Sequence, residues 1–91
     1  MSDRRSYRVT GRVQGVGFRW WTRNLAVDLG LRGTVRNARD GAVEIEAAGA
    51  AGRLDDFEAR LREGPSSASV RGVDRVEPGE HALPAGFEIV R

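Results

Sequence analysis

The pattern of apolar residues predicts an α+β fold in which two helices pack on one face of a mostly antiparallel sheet, with a short closing strand at the C-terminus. Three observations carry that expectation. Residues 18–29 and 54–61 place apolar side chains at helical spacing, residues 7–13 and 42–48 alternate as half-buried strands do, and glycine-rich turns separate the elements. The chain of 91 residues is short enough to be one domain spanning 1–91, and 40% apolar residues suffice for one core.

Taken in order, Tyr7, Val9, Gly11 and Val13 alternate with polar residues and predict a first strand. Phe18, Trp21, Leu25 and Leu29 then form a helical stripe that Gly30 stops. Trp20 and Trp21 are adjacent and cannot share a face, so Trp21 is expected in the core and Trp20 partly exposed. Residues 31–37 and 42–48 predict two strands joined through Asp40-Gly41, a strong hairpin signal. On the second of these, Val43, Ile45 and Ala47 face one way and Glu44 and Glu46 the other. The two carboxylates could serve as an acid–base pair, but strict alternation favours a solvated outer face.

Residues 49–52 read as a small-residue turn, followed by a helix with Leu54, Phe57 and Leu61 on its buried stripe. Asp55, Asp56 and Glu58 come early in it and Arg60 and Arg62 late, an order suited to the helix dipole, and Gly64-Pro65 ends it. Val70, Val73 and Val76 are spaced irregularly, which predicts a strand with a bulge. A turn-rich loop over 78–84 leads to a closing strand over 86–90. The sequence strand, helix, strand, strand, helix, strand is the split βαβ, ferredoxin-like arrangement, which hosts many functions and names none.

Composition narrows the chemistry. The net charge is +2, and all fifteen basic residues are arginines interleaved with acids, unlike the clustered basic face of a nucleic-acid binder. There is no cysteine, hence no thiolate nucleophile or thiolate metal site. His81, the single histidine, falls in the loop over 78–84, where an exposed loop side chain is the expectation. Ser66, Ser67 and Ser69 have no evident base beside them. The N-terminus lacks the apolar run of a signal peptide and no stretch is long enough to span a membrane, so a cytoplasmic protein that binds no membrane is expected, with monomer as the default state.

What remains is the stretch Gly11-Arg12-Val13-Gln14-Gly15-Val16-Gly17-Phe18-Arg19, running from strand through a glycine-spaced turn into a helix. Glycines there let successive N–H groups point into one concavity, and the helix start adds unpaired donors. Arg19 stands where an acidic residue would suit the dipole, which points to an anion site, phosphate above all. It is neither a dinucleotide fingerprint, because Trp20 occupies the third glycine position, nor a Walker loop, because the chain has no lysine. Asn37, at the end of a strand before a turn, is either a turn-capping residue or an amide that holds a water.

Gly11 to Arg19 closely resembles the first signature of the acylphosphatases, and Gly33-Thr34-Val35-Arg36-Asn37 with Gly41, Val43 and Gly49 resembles the second. The terminal Gly86-Phe87-Glu88-Ile89 fits as well, so the similarity covers nearly the whole chain; Thr34 departs from it, standing where the family often has an aromatic residue. The resemblance implies hydrolysis of the carboxyl–phosphate bond of a small-molecule acyl phosphate, with no metal, cofactor or phosphoenzyme. By motif, Arg19 and the main-chain N–H groups of Gly15, Val16, Gly17 and Phe18 would hold the phosphoryl oxygens, and Asn37 would position the attacking water. The competing expectations are a non-catalytic anion-binding domain and an RNA-binding module of the same topology, the latter disfavoured because residues 42–47 carry two acids and no aromatic.

Overall fold

The computed structural model describes residues 2–91, and its element order is β1 (Asp3–Arg12), α1 (Phe18–Asp28), β2 (Arg32–Asn37), β3 (Val43–Gly49), α2 (Ala51–Glu63), β4 (Ser69–Val76) and β5 (Phe87–Ile89). The sheet runs β4-β1-β3-β2-β5. Both β1 and β2 lie antiparallel to β3 and are therefore parallel to each other, while β5 is parallel to β2. Strands 1, 2 and 5 thus end along the same edge of the sandwich.

The alternation expected from sequence sorts the two faces. Tyr7 and Val9 of β1, Val35 of β2 and Val43, Ile45 and Ala47 of β3 are buried, together with Phe18, Leu25 and Ala26 of α1 and Leu54, Phe57 and Leu61 of α2. Phe57 sits at the centre, edge-on to Tyr7 at 5.9 Å and to Phe87 at 6.2 Å between ring centroids. These rings tie α2 to both halves of the sheet, an arrangement aromatic quadrupoles favour. The predicted bulge is present: Thr10 pairs with Gly72 and Gly11 with Val70, leaving Arg71 as the extra residue. Gly30 has φ 71° and closes α1, as expected of a left-handed C-terminal glycine.

Several details differ from the sequence expectations. The first strand begins at Asp3 because its pairing with β3 reaches back to Gly49. The second helix begins at Ala51, so Asp55, Asp56 and Glu58 fall beyond its first turn, which holds no acid. Trp21 is only half-buried, packed on Phe18 at 5.4 Å, and Thr22 is the fully buried side chain beside it.

Glu46 corrects the solvated-face reading. The segment joining β4 to β5 must pass from one edge of the sheet to the other, and it crosses the face opposite the helices. Glu46 pins it there, accepting hydrogen bonds from the Gly79 N–H at 2.8 Å, the Ser6 hydroxyl at 3.0 Å and Arg4 at 2.6 Å. Burial alone would raise its carboxyl, but the Gly79 N–H, the Ser6 hydroxyl and the Arg4 charge together hold it below the ordinary value. His81 is exposed, as expected, yet it too reaches Glu46, Nε2 to Oε2 2.9 Å, and its carbonyl accepts from Arg4 at 2.6 Å.

Candidate functional site

The common edge where β1, β2 and β5 end is also where α1 begins, so four chain segments converge on one small volume. A cavity of about 190 Å³ lies there, lined by Val13, Gly15, Gly17, Phe18, Arg19, Trp20, Asn37 and Ile89. It opens into a shallower groove bordered by Arg19, Asn37, Ile89 and Arg91. Arg19 and Asn37, 18 positions apart in sequence, therefore share a wall, as the sequence expectation required.

The loop over 14–17 has the conformation its glycines permit. Gly15 and Gly17 have φ of 73° and 79°, values that side chains with a Cβ rarely adopt, and a Cβ there would meet nothing within 4 Å. Glycine is required at these positions by backbone conformation, not by lack of space. Gly17 also stands at the N-terminal cap of α1 with no side-chain cap bond, and no acid occupies the first turn. The first helical bond at this end runs from the Trp21 N–H to the Gly17 carbonyl at 3.0 Å. Among the described residues the N–H groups of Gly15, Val16, Gly17 and Phe18 make no hydrogen bond to a protein acceptor, leaving a cluster of donors.

Two side chains fix this loop from outside. The Ser67 hydroxyl donates to the Val16 carbonyl at 2.9 Å. Because a trans peptide unit points its C=O and N–H in opposite directions, that bond turns the Gly17 N–H away from Ser67. The Gln14 amide Nε2 donates to the Ala38 carbonyl at 2.7 Å and to the Ala42 carbonyl at 2.9 Å. Those carbonyls belong to the β2–β3 turn, which is closed by Ala38 N–H to Ala42 O at 2.8 Å and braced by Asp40 Oδ1 accepting from the Ala42 N–H at 3.2 Å. Gln14 therefore ties the donor loop directly to the turn that follows Asn37.

Asn37 is the last residue of β2, paired with Val43. Its Oδ1 is buried and has no hydrogen-bond partner, although a buried amide oxygen normally has one. The turn-capping reading is not what the structure contains, since Asp40 supplies the side-chain bond in the turn. Arg19, the second residue of α1, is half-buried, and among the described residues it has no carboxylate within ion-pairing distance. The lining contains no serine, threonine, cysteine or histidine that could act as a nucleophile. Sequence reasoning missed Gln14 and Ser67 as braces and Ile89 as a wall, because each acts through a tertiary contact; for Gln14 and Ser67 that contact spans 24 to 51 positions.

Fold and cavity together define an α+β sandwich with a donor-rich, cation-bearing pocket at the joined ends of three strands. The acylphosphatase family model matches residues 5–89. An acylphosphatase of Mesorhizobium japonicum is 48% identical over 93 residues, covering 99% of each chain. Among solved structures, the acylphosphatase of Bacillus subtilis superposes with a TM-score of 0.89 at 34% identity over 100% of both chains. One from Coxiella burnetii gives 0.85 at 31% identity, over 98% of this chain and 93% of that one. The chain belongs to the acylphosphatase family, a family of enzymes.

Proposed function

We propose that the cavity hydrolyses acyl phosphates to a carboxylate and inorganic phosphate by direct attack of water. The observation that carries this reading is the meeting, around one cavity, of the donor loop at Gly15, Gly17 and Phe18, the Arg19 guanidinium that pairs with no carboxylate among the described residues, and the Asn37 side chain. The phosphoryl oxygens lie among the N–H groups of Gly15, Val16, Gly17 and Phe18, with Arg19 as the charged partner, an environment suited to an oxyanion. Asn37 holds the attacking water by a hydrogen bond to its side-chain amide and so places the water oxygen against phosphorus.

In the reaction the water oxygen bonds to phosphorus and the phosphorus–oxygen bond to the acyl group breaks, the electron pair leaving on the carboxylate. The water's proton passes to a phosphate oxygen, since no lining side chain is a base. A carboxylate with a conjugate-acid pKa of about 4 leaves without protonation, so the absence of a general acid is no obstacle. An alkoxide would not leave unaided, and phosphate monoesters are accordingly poor substrates. Rate enhancement comes from positioning and from donors aimed at the charge of a loose phosphoryl transition state.

No metal is assigned to this chemistry. Among the described residues no three histidine, cysteine, aspartate or glutamate side chains cluster so as to hold one, and the cationic role falls to Arg19. Against an RNA-binding reading, the outer face of the sheet carries Glu44 and Glu46 and is crossed by the β4–β5 connection.

Separate roles give separate signatures. Arg19→Ala should weaken competitive inhibition by inorganic phosphate and nearly abolish turnover, whereas Asn37→Ala should retain the phosphate inhibition constant and lose turnover. Wild-type kcat/KM for an acyl phosphate in either variant would remove that residue from the mechanism.

A further inference from the structure

We propose that Trp20 is the acyl-side specificity determinant of this pocket, its indole forming the wall on which a flat aromatic acyl group packs while the phosphoryl group sits in the cradle. This rests on the acyl phosphate reading above and adds the class of acyl group favoured. The cavity is continuous with the open groove bordered by Arg19, Asn37, Ile89 and Arg91, so an acyl substituent has a way outward from the cradle past the cavity's rim.

The apolar lining consists of Val13, Phe18, Trp20 and Ile89. Val13 and Phe18 are each 1% exposed, so they form a closed floor that offers no surface to a substrate. Ile89 is partly buried in the core, whereas Trp20 is 60% exposed. The other large exposed apolar side chains, Val27 and Val76, do not line this cavity.

The position has no packing role that would call for tryptophan. Trp21, its neighbour, supplies the ring that packs against the core. Trp20 is instead held by the Arg23 guanidinium, whose carbon lies 5.5 Å from the ring centroid. Arg23 in turn donates to Asn24 Oδ1 at 3.2 Å. A cation over one face limits the freedom of the ring and leaves the indole's remaining surface to a planar group, with little rotamer entropy left to lose on contact. A benzoyl group can use that surface; an acetyl methyl is too small to do so.

The test compares wild type, Trp20→Ala and Trp20→Phe with acetyl phosphate and benzoyl phosphate. Trp20→Ala should lower kcat/KM for benzoyl phosphate roughly five- to tenfold, the scale of one aromatic contact, and leave acetyl phosphate within about twofold. Trp20→Phe should restore most of the benzoyl preference, and the inhibition constant of inorganic phosphate should stay constant in all three proteins. An unchanged benzoyl-to-acetyl ratio in Trp20→Ala would overturn the assignment, as would equal losses on both substrates. Calorimetry with phenacylphosphonate and acetonylphosphonate, whose phosphorus–carbon bonds resist hydrolysis, separates this claim from the catalytic one. Tighter phenacyl binding that depends on Trp20 supports the wall even in a protein found to lack turnover; equal binding of the two phosphonates by wild type refutes it.

Discussion

Replacing Gln14 by alanine separates the bracing of the pocket from its chemistry. Gln14 contributes two hydrogen bonds, of 2.7 and 2.9 Å, to the carbonyls of Ala38 and Ala42. Both carbonyls keep a second donor, Ala38 O from the Gly41 N–H at 3.3 Å and Ala42 O from the Ala38 N–H at 2.8 Å. Neither is fully orphaned, so the loss is near two ordinary net hydrogen bonds, about 2 kcal/mol. For a domain of this size that lowers the melting temperature by roughly 8–16 °C. The effect on rate should exceed what stability alone would give, because Asn37 immediately precedes the turn that Gln14 holds. A displacement of about 1 Å between water and phosphoryl group can cost on the order of 100-fold in kcat. The assay is a steady-state measurement on benzoyl phosphate well below the melting transition, with inorganic phosphate as competitive inhibitor. Expected are a kcat lower by at least tenfold and a phosphate inhibition constant changed by less than about threefold. A variant that melts earlier but keeps wild-type kcat would show that Gln14 holds the fold and does not align the pocket.

Other perturbations have distinct expected outcomes. A Cβ at Gly33, where φ is 151°, would collide with the Glu46 backbone carbonyl, so Gly33→Ala should cost roughly 3 kcal/mol or more. At the exposed helical Gly52 a Cβ meets nothing within 4 Å, so Gly52→Ala should stabilise by about 0.5–1 kcal/mol, both changes being read by denaturant melts. The Glu46 carboxyl is held below its ordinary value of 4.5, so its share of stability is complete above that pH and is lost as pH falls through its lower folded value. Glu58, which burial opposes but Arg75 and Arg62 hold low, adds to the same acid limb. The stability gap between wild type and Glu46→Gln should therefore be widest above about pH 5 and should narrow on acidification. A gap constant from about pH 3 to 6 would contradict that role for Glu46.

Much of this molecule was legible in the sequence because its determinants are local. The alternation of Val43, Ile45 and Ala47, the stripe of Leu54, Phe57 and Leu61, and the stops at Gly30 and Gly64 each act within a few residues, and the split βαβ order followed from them. The glycine-spaced loop was legible for the same reason, since Gly15 and Gly17 adopt the positive φ for which glycine is suited. Glu46 was not legible. Alternation placed it correctly on the outer face, but only the path of the β4–β5 connection decides whether that face meets water or the Gly79 N–H. Ile89 was read as part of a short closing strand, and its place beside Asn37 depends on β5 pairing in parallel with β2. The second helix shows a limit of a different kind: its buried stripe was clear, but its start at Ala51 was hidden by the small residues at 49–52, whose composition suits a turn as well as a first helical turn.

The most direct test of the catalytic claim is hydrolysis of benzoyl phosphate by the purified protein in excess EDTA, with glycerol phosphate, a monoester whose leaving group is an alkoxide, in parallel. Rapid cleavage of the acyl phosphate, unaffected by the chelator and accompanied by little or no cleavage of the monoester, is expected of a donor cradle that expels only a good leaving group. Chelator-sensitive turnover, equal activity on the monoester, or no turnover by the folded protein would contradict it.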